Sequence, residues 1–178
     1  GMAAGYVPTG GIIVRNEIAE TIRGGSGAFV HGYTYNGNPV SGAATTAVLR
    51  YMKEHNLVAN ARIQGEKLGK GLKEIEASNP IVGEVRGKGL MWGVELVMDK
   101  ESRRPFPKGK GAAGLATKEC LERGLVIYPG GGMVDGIDGD NFLIGPPLVI
   151  TSEQVDELLA KLEEGLAEAA KKLLSSVE

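Results

Sequence analysis

A hydroxyl next to glycine and tyrosine, a few residues before a helix start, can hold a phosphate. The run from Phe29 to Pro39 has this form: Gly32, Tyr33 and Thr34, then Gly37, then Asn38 as helix N-cap and Pro39 as first helical residue. Hydroxyls and loop amides near a helix N-terminus suit an anion. The same residues also make an aromatic surface loop ending in a helix cap, and residue chemistry alone favours that reading. A second basic motif, Arg86 to Leu90, sets Arg86 and Lys88 among glycines. It lacks the GxxxxGK[ST] spacing of a nucleotide-binding loop, so a turn or bulge between strands is the simpler account. Between Tyr128 and Asp140, the carboxylates of Asp135, Asp138 and Asp140 could face calcium. The EF-hand spacing and its closing glutamate are missing, which favours a set of turns. Ala4 to Gly10 reads as a turn leading into a strand.

Positioning these residues requires a particular series of elements. Gly11–Val14 reads as a short buried strand, and since one strand cannot stand alone, it must belong to a larger sheet. Asn16–Arg23 fits a short helix with Ile18 and Ile22 on one face. A helix is expected from Pro39 to His55, with Ala44, Val48, Tyr51 and Met52 on its apolar side. Another runs from Val58 to Ala77. Its Gly65, Gly69 and Gly71 weaken it by roughly 1 kcal/mol each, which close packing would justify. Strands follow at Ile81–Arg86 and Leu90–Met98, then a charged hairpin or loop at Asp99–Gly109. A helix at Ala112–Arg123 is closed by Gly124. Leu125–Tyr128 reads as a strand, Pro129–Asn141 as a loop, and Phe142–Ile144 as a strand. Thr151 and Gln154 form a capping box before a last helix striped by Val155, Leu158, Leu159, Leu162, Leu166 and Leu173. From Asn79 onward this is an α+β unit, with two helices on one face of a largely antiparallel sheet.

Composition narrows the function. The 178 residues are 42% hydrophobic and 24% charged, with net charge −2 and the two signs interspersed, so no basic footprint for nucleic acid exists. One cysteine, Cys120, excludes an internal disulfide, and with only two histidines beside it a zinc site is disfavoured. Apolar runs are too short to span a bilayer and no signal peptide is visible, so a cytoplasmic location is expected. The 28 glycines follow no Gly-X-Y period. Gly1 and Met2 resemble a scar of tag removal ahead of an initiator methionine.

The motifs are weak singly and strong in order. Gly5-Tyr6-x-Pro8 comes before a strand, and His31-Gly32-x-Thr34-Tyr35-x-Gly37-x-Pro39 before a long helix. Arg86-Gly87-x-Gly89-Leu90-Met91 precedes a second strand. Pro129 with three glycines follows, and Pro146-Pro147-Leu148-Val149-Ile150-Thr151 leads into the last helix. This series resembles the class-III (ω-amino-acid) pyridoxal-phosphate-dependent aminotransferases across residues 1–178. It is most similar to the branch with a Gly-Asp-Asn stretch before Pro-Pro, here Gly139-Asp140-Asn141. The resemblance implies an α/β protein, the C-terminal part of the type I PLP-dependent transferase fold. Residues 1–77 would be the end of the large domain with connector helices, and residues 78–178 the small α+β domain. It implies a homodimer that moves an amino group from an ω-amino acid or amine to a keto acid. By this resemblance Thr34 would bind the cofactor phosphate of the neighbouring subunit, flanked by Gly32 and Tyr33, with Tyr6 and Tyr128 as substrate-pocket candidates. No catalytic residue is expected within the chain: the family's Schiff-base lysine would directly precede Gly1, and Lys88 is the nearest candidate by motif. These residues alone should therefore be inactive. Two departures leave the donor open. Many relatives carry a carboxylate-holding arginine two or three residues before Pro-Pro, where this chain has Phe142 to Gly145, and some amine transaminases carry one at the position of Tyr128. The alternatives are another PLP reaction of the family (aminomutase, racemase or decarboxylase) or a free-standing non-catalytic interaction module.

Overall fold

A computed structural model describes residues 2–175. Gly1, and with it the expected boundary at the Schiff-base lysine, lies outside the described residues. The chain divides into two compact units, residues 1–56 and 57–178.

The first unit holds α1 (Asn16–Gly24) and α2 (Pro39–Glu54). α2 begins as its sequence dictates: Asn38 accepts a hydrogen bond from the Ser41 amide at 3.0 Å and Pro39 is the first helical residue. The apolar side of α2 is only half-buried, and Ala3 and Thr45 are the unit's only buried residues among those described. Gly11–Val14 does not form the expected strand. A strand needs a neighbour for its amides and carbonyls, and these residues have none among the described residues; Ile13 is 99% exposed.

The second unit contains α3 (Leu57–Ser78), β1 (Val82–Lys88), β2 (Met91–Asp99), β3 (Arg104–Pro105), α4 (Ala112–Glu122), β4 (Tyr128–Gly131), β5 (Asp140–Ile144) and α5 (Ser152–Ser175). The sheet is antiparallel throughout, in the order β1-β2-β5-β4, with the short β3 on the far part of β2. Period-two alternation sends Val94, Leu96, Phe142 and Ile144 into the core, where they meet Leu68, Leu72 and Ile75 of α3 and Leu162 and Leu166 of α5. Three helices therefore share one core with the sheet, α3 among them, where the sequence pattern from Asn79 onward pointed to two. The capping box forms as read: the Thr151 amide donates to Gln154 at 3.0 Å, and the Gln154 amide to the Thr151 hydroxyl at 3.3 Å. Two boundaries differ. The strand expected at Leu125–Tyr128 lies instead at Tyr128–Gly131, taking the start of the expected Gly/Asp loop, and β3 falls within the expected loop at Asp99–Gly109. Ile127 is apolar because it is buried beside the sheet, not because it pairs in it.

The glycines of α3 have an explicit use. A side chain at Gly65 would collide with the Gly89 backbone, one at Gly69 with the Trp92 ring, and one at Gly71 with Leu159. Close packing, the justification the sequence suggested, accounts for all three.

Candidate functional site

The loop before α2 is built by local rules. Alternate residues Phe29, His31 and Tyr33 meet edge to face, with ring centroids 5.8 Å and 5.1 Å apart. The chain then turns: the Asn36 amide donates to the Tyr33 carbonyl at 2.9 Å, and Gly37 adopts φ +71°, which favours glycine. Thr34 starts this turn, is exposed, and its hydroxyl has no hydrogen-bond partner among the described residues. The amides at the start of α2 are less available. Pro39 has none, and those of Ser41 and Gly42 are taken by the side chain and carbonyl of Asn38. Tyr33 lines a cleft of about 690 Å³ with Pro8, Thr9, Asn36 and Ser41, while Thr34 and Gly32 lie outside it. Thr9, which sequence reasoning did not single out, is fixed by a 3.1 Å hydrogen bond from Thr45. Tyr6 stands exposed after the turn that its own amide closes on Ala3.

In the second unit, Tyr128 opens β4 and is 72% exposed. Its register partner is Leu143 of β5, also exposed, and Leu143 in turn faces Gly93 of β2, which faces Arg86 of β1. One row of the sheet's open face thus reads Arg86, Gly93, Leu143, Tyr128. Tyr128 and Leu143 are 15 positions apart in sequence, and only register reveals that they are neighbours. Neither residue is charged. The Arg86 guanidinium pairs with Glu84 at 2.9 Å.

The aspartates after Tyr128 serve the backbone. Asp135 accepts from the amides of Ile137 and Asp138, both at 2.8 Å, and these bonds hold its carboxyl below the usual carboxylate range. Asp138 accepts from the Lys108 amide at 3.0 Å, and Asp140 from the Ala113 amide at 2.8 Å, capping α4, whose own N-cap is glycine.

The family model described as aminotransferase class-III matches residues 1–166. The chain belongs to the class-III aminotransferase family. It is 38% identical over 173 residues to the uncharacterized aminotransferase YodT of Bacillus subtilis, covering 97% of this chain and 39% of that protein. It is 35% identical over 176 residues to the putrescine–pyruvate aminotransferase of Pseudomonas aeruginosa, covering 98% of this chain and 36% of that one. Among solved structures, a PLP-bound amine transaminase from an uncultivated Pseudomonas species superimposes with a TM-score of 0.83 at 32% identity, covering 95% of this chain and 37% of the other. This class-III aminotransferase chain therefore spans well under half the length of these relatives. Its fold is that of the C-terminal portion of the type I PLP-dependent transferases. Among its described residues no helix is long and apolar enough to cross a membrane.

Proposed function

We propose that this chain is the C-terminal segment of a PLP-dependent transaminase that passes an amino group from an amine or ω-amino acid to a keto acid. The observation that carries the proposal is the class-III match over residues 1–166, which includes the exposed Thr34 turn. In that reading residues 1–77 end the large domain and residues 78–178 are the small domain of a cytoplasmic homodimer. Pyridoxal phosphate, when bound, supplies the electron sink for the carbon that loses its amino group. The Thr34 hydroxyl, flanked by Gly32 and Tyr33, would hold the cofactor phosphate of the neighbouring subunit. Thr34 fits this role because it is exposed and its hydroxyl is not already engaged. Tyr6 in the first unit and Tyr128 in the second, both exposed, are each candidates for contact with the donor. The amine that carries the cofactor and shuttles the proton comes from outside residues 1–178. Lys88 is unsuited to that role, since it ends β1 opposite Met91, next to a turn. These residues alone are therefore inactive.

The test uses the complete enzyme. Amine consumption should require a keto acid; consumption without one would favour an aminomutase, racemase or decarboxylase. Thr34→Ala should weaken cofactor binding by about 1–3 kcal/mol, the range for losing a hydrogen bond to a charged group. Unchanged cofactor affinity would remove Thr34 from the site.

A further inference from the structure

Where α3 meets the β1–β2 turn there is a cleft that the proposed reaction does not use. Its floor is glycine backbone and indole. Gly65 lies against Gly89, Gly69 lies against the Trp92 ring, and the Trp92 Nε1–H donates to the Gly89 carbonyl at 2.7 Å. The volume, about 740 Å³, is that of a small-molecule site. Arg62, Lys70, Lys73 and Lys88 line it against a single acid, Glu66. Two of the cations are committed: Arg62 pairs with Glu66 at 3.3 Å and Lys73 with Glu76 at 2.6 Å. Lys70 and Lys88 are exposed and form no ion pair among the described residues. They come from different elements, α3 and the end of β1, yet line one apolar floor.

We propose that this cleft binds a small anion with a flat apolar body, an arene carboxylate, whose ring rests against Trp92 and whose carboxylate is held by Lys70 and Lys88. The ring gains from burial on the indole and glycine floor, which inorganic anions cannot use. The carboxylate gains a charge-assisted contact in the one part of the rim with unpaired cations.

Trp92 is the chain's single tryptophan, so its indole N–H gives one nitrogen–proton NMR cross-peak that reports on the cleft. The 178-residue chain is titrated with 2-naphthoate, with the cation 2-naphthylmethylammonium, and with inorganic phosphate. Naphthoate should shift the Trp92 peak saturably, with the ammonium analogue and phosphate each weaker by about ten-fold or more. The double substitution Lys70→Glu and Lys88→Glu, both at exposed positions, should weaken naphthoate by about ten-fold while the rest of the spectrum is unchanged. If that variant loses spectral dispersion, Lys88→Gln alone replaces it, and the three-ligand comparison on the unaltered chain decides independently. A shift that never saturates overturns the proposal. So does equal affinity for the ammonium analogue, which marks an apolar surface only, or equal affinity for phosphate, which marks a charge patch only. So does a naphthoate affinity that ignores the lysine substitutions.

Discussion

Gly65 and Gly69 sit one turn apart on α3 and oppose the usual rule for helical glycine. Replacing an exposed helical glycine by alanine gains up to about 1 kcal/mol. Here the added methyl carbon would lie 2.2 Å from the Gly89 carbonyl oxygen at position 65, and 2.3 Å from the Trp92 ring at position 69. Overpacking of this kind costs about 1–3 kcal/mol, more than propensity returns. The Gly89 backbone has less room to yield than the indole. Urea denaturation should therefore rank Gly65→Ala lowest and Gly69→Ala next, both below the unaltered chain. Gly114 of α4 has nothing within 4 Å of the same added atom, so Gly114→Ala should rank above it. Equal midpoints for the Gly65 and Gly114 variants would refute the packing account. The sequence marked these helix glycines as places of close approach, because nothing else justifies their cost, but it could not name what approaches. Motif order singled out Thr34, while its exposure and uncommitted hydroxyl came from the fold.

At the scale of elements, α4 and α5 are joined through one carboxylate. Glu119 of α4 is 2% exposed and accepts from Lys172 of α5 at 2.7 Å and from Arg123 at 3.4 Å. The Lys172 hydrogen bond chiefly, then the charges of Lys172 and Arg123, hold its carboxyl below the usual range although burial opposes them. A depressed folded value means the contribution is complete above the ordinary glutamate range and fades as pH falls through it toward the lower folded value. The urea midpoint should drop on acidification through that window, and Glu119→Gln, weaker at neutral pH, should show a flatter decline. Parallel pH profiles for the two proteins would count against the clamp. The helices themselves were readable: a five-leucine stripe and a capping box define α5. The β4 strand was not, since a Pro-Gly-Gly-Gly run reads as a loop. Among the described residues it is an edge strand paired with β5, which tolerates Pro129, and the Asn141 side chain reaches into the space a Cβ at Gly130 would take. Strand identity there depends on a partner 13 residues away, Pro129 facing Phe142, and local composition does not carry it.

The whole molecule is uneven. The second unit has a continuous core, whereas the first presents Ile12, Ile13, Val30, Tyr35 and Val40 to solvent. Apolar surface of that extent drives association, so light scattering on the 178-residue chain should find a dimer or larger, and a clean monomer at high concentration would oppose this. The core of the second unit also dictates where the chain can be cut. By sequence position α3 is a connector, but its Leu68, Leu72 and Ile75 lie in the sheet's core and its glycines key into the β1–β2 hairpin. A gene fragment encoding residues 57–178 should yield a cooperatively melting protein with sharp, dispersed NMR signals. One encoding residues 79–178 should behave as a molten chain that binds hydrophobic dyes and yields quickly to proteases. Anyone transplanting the second unit should therefore carry α3 across with it and place the splice in the two residues before Leu57, where Asn56 already adopts φ +52°.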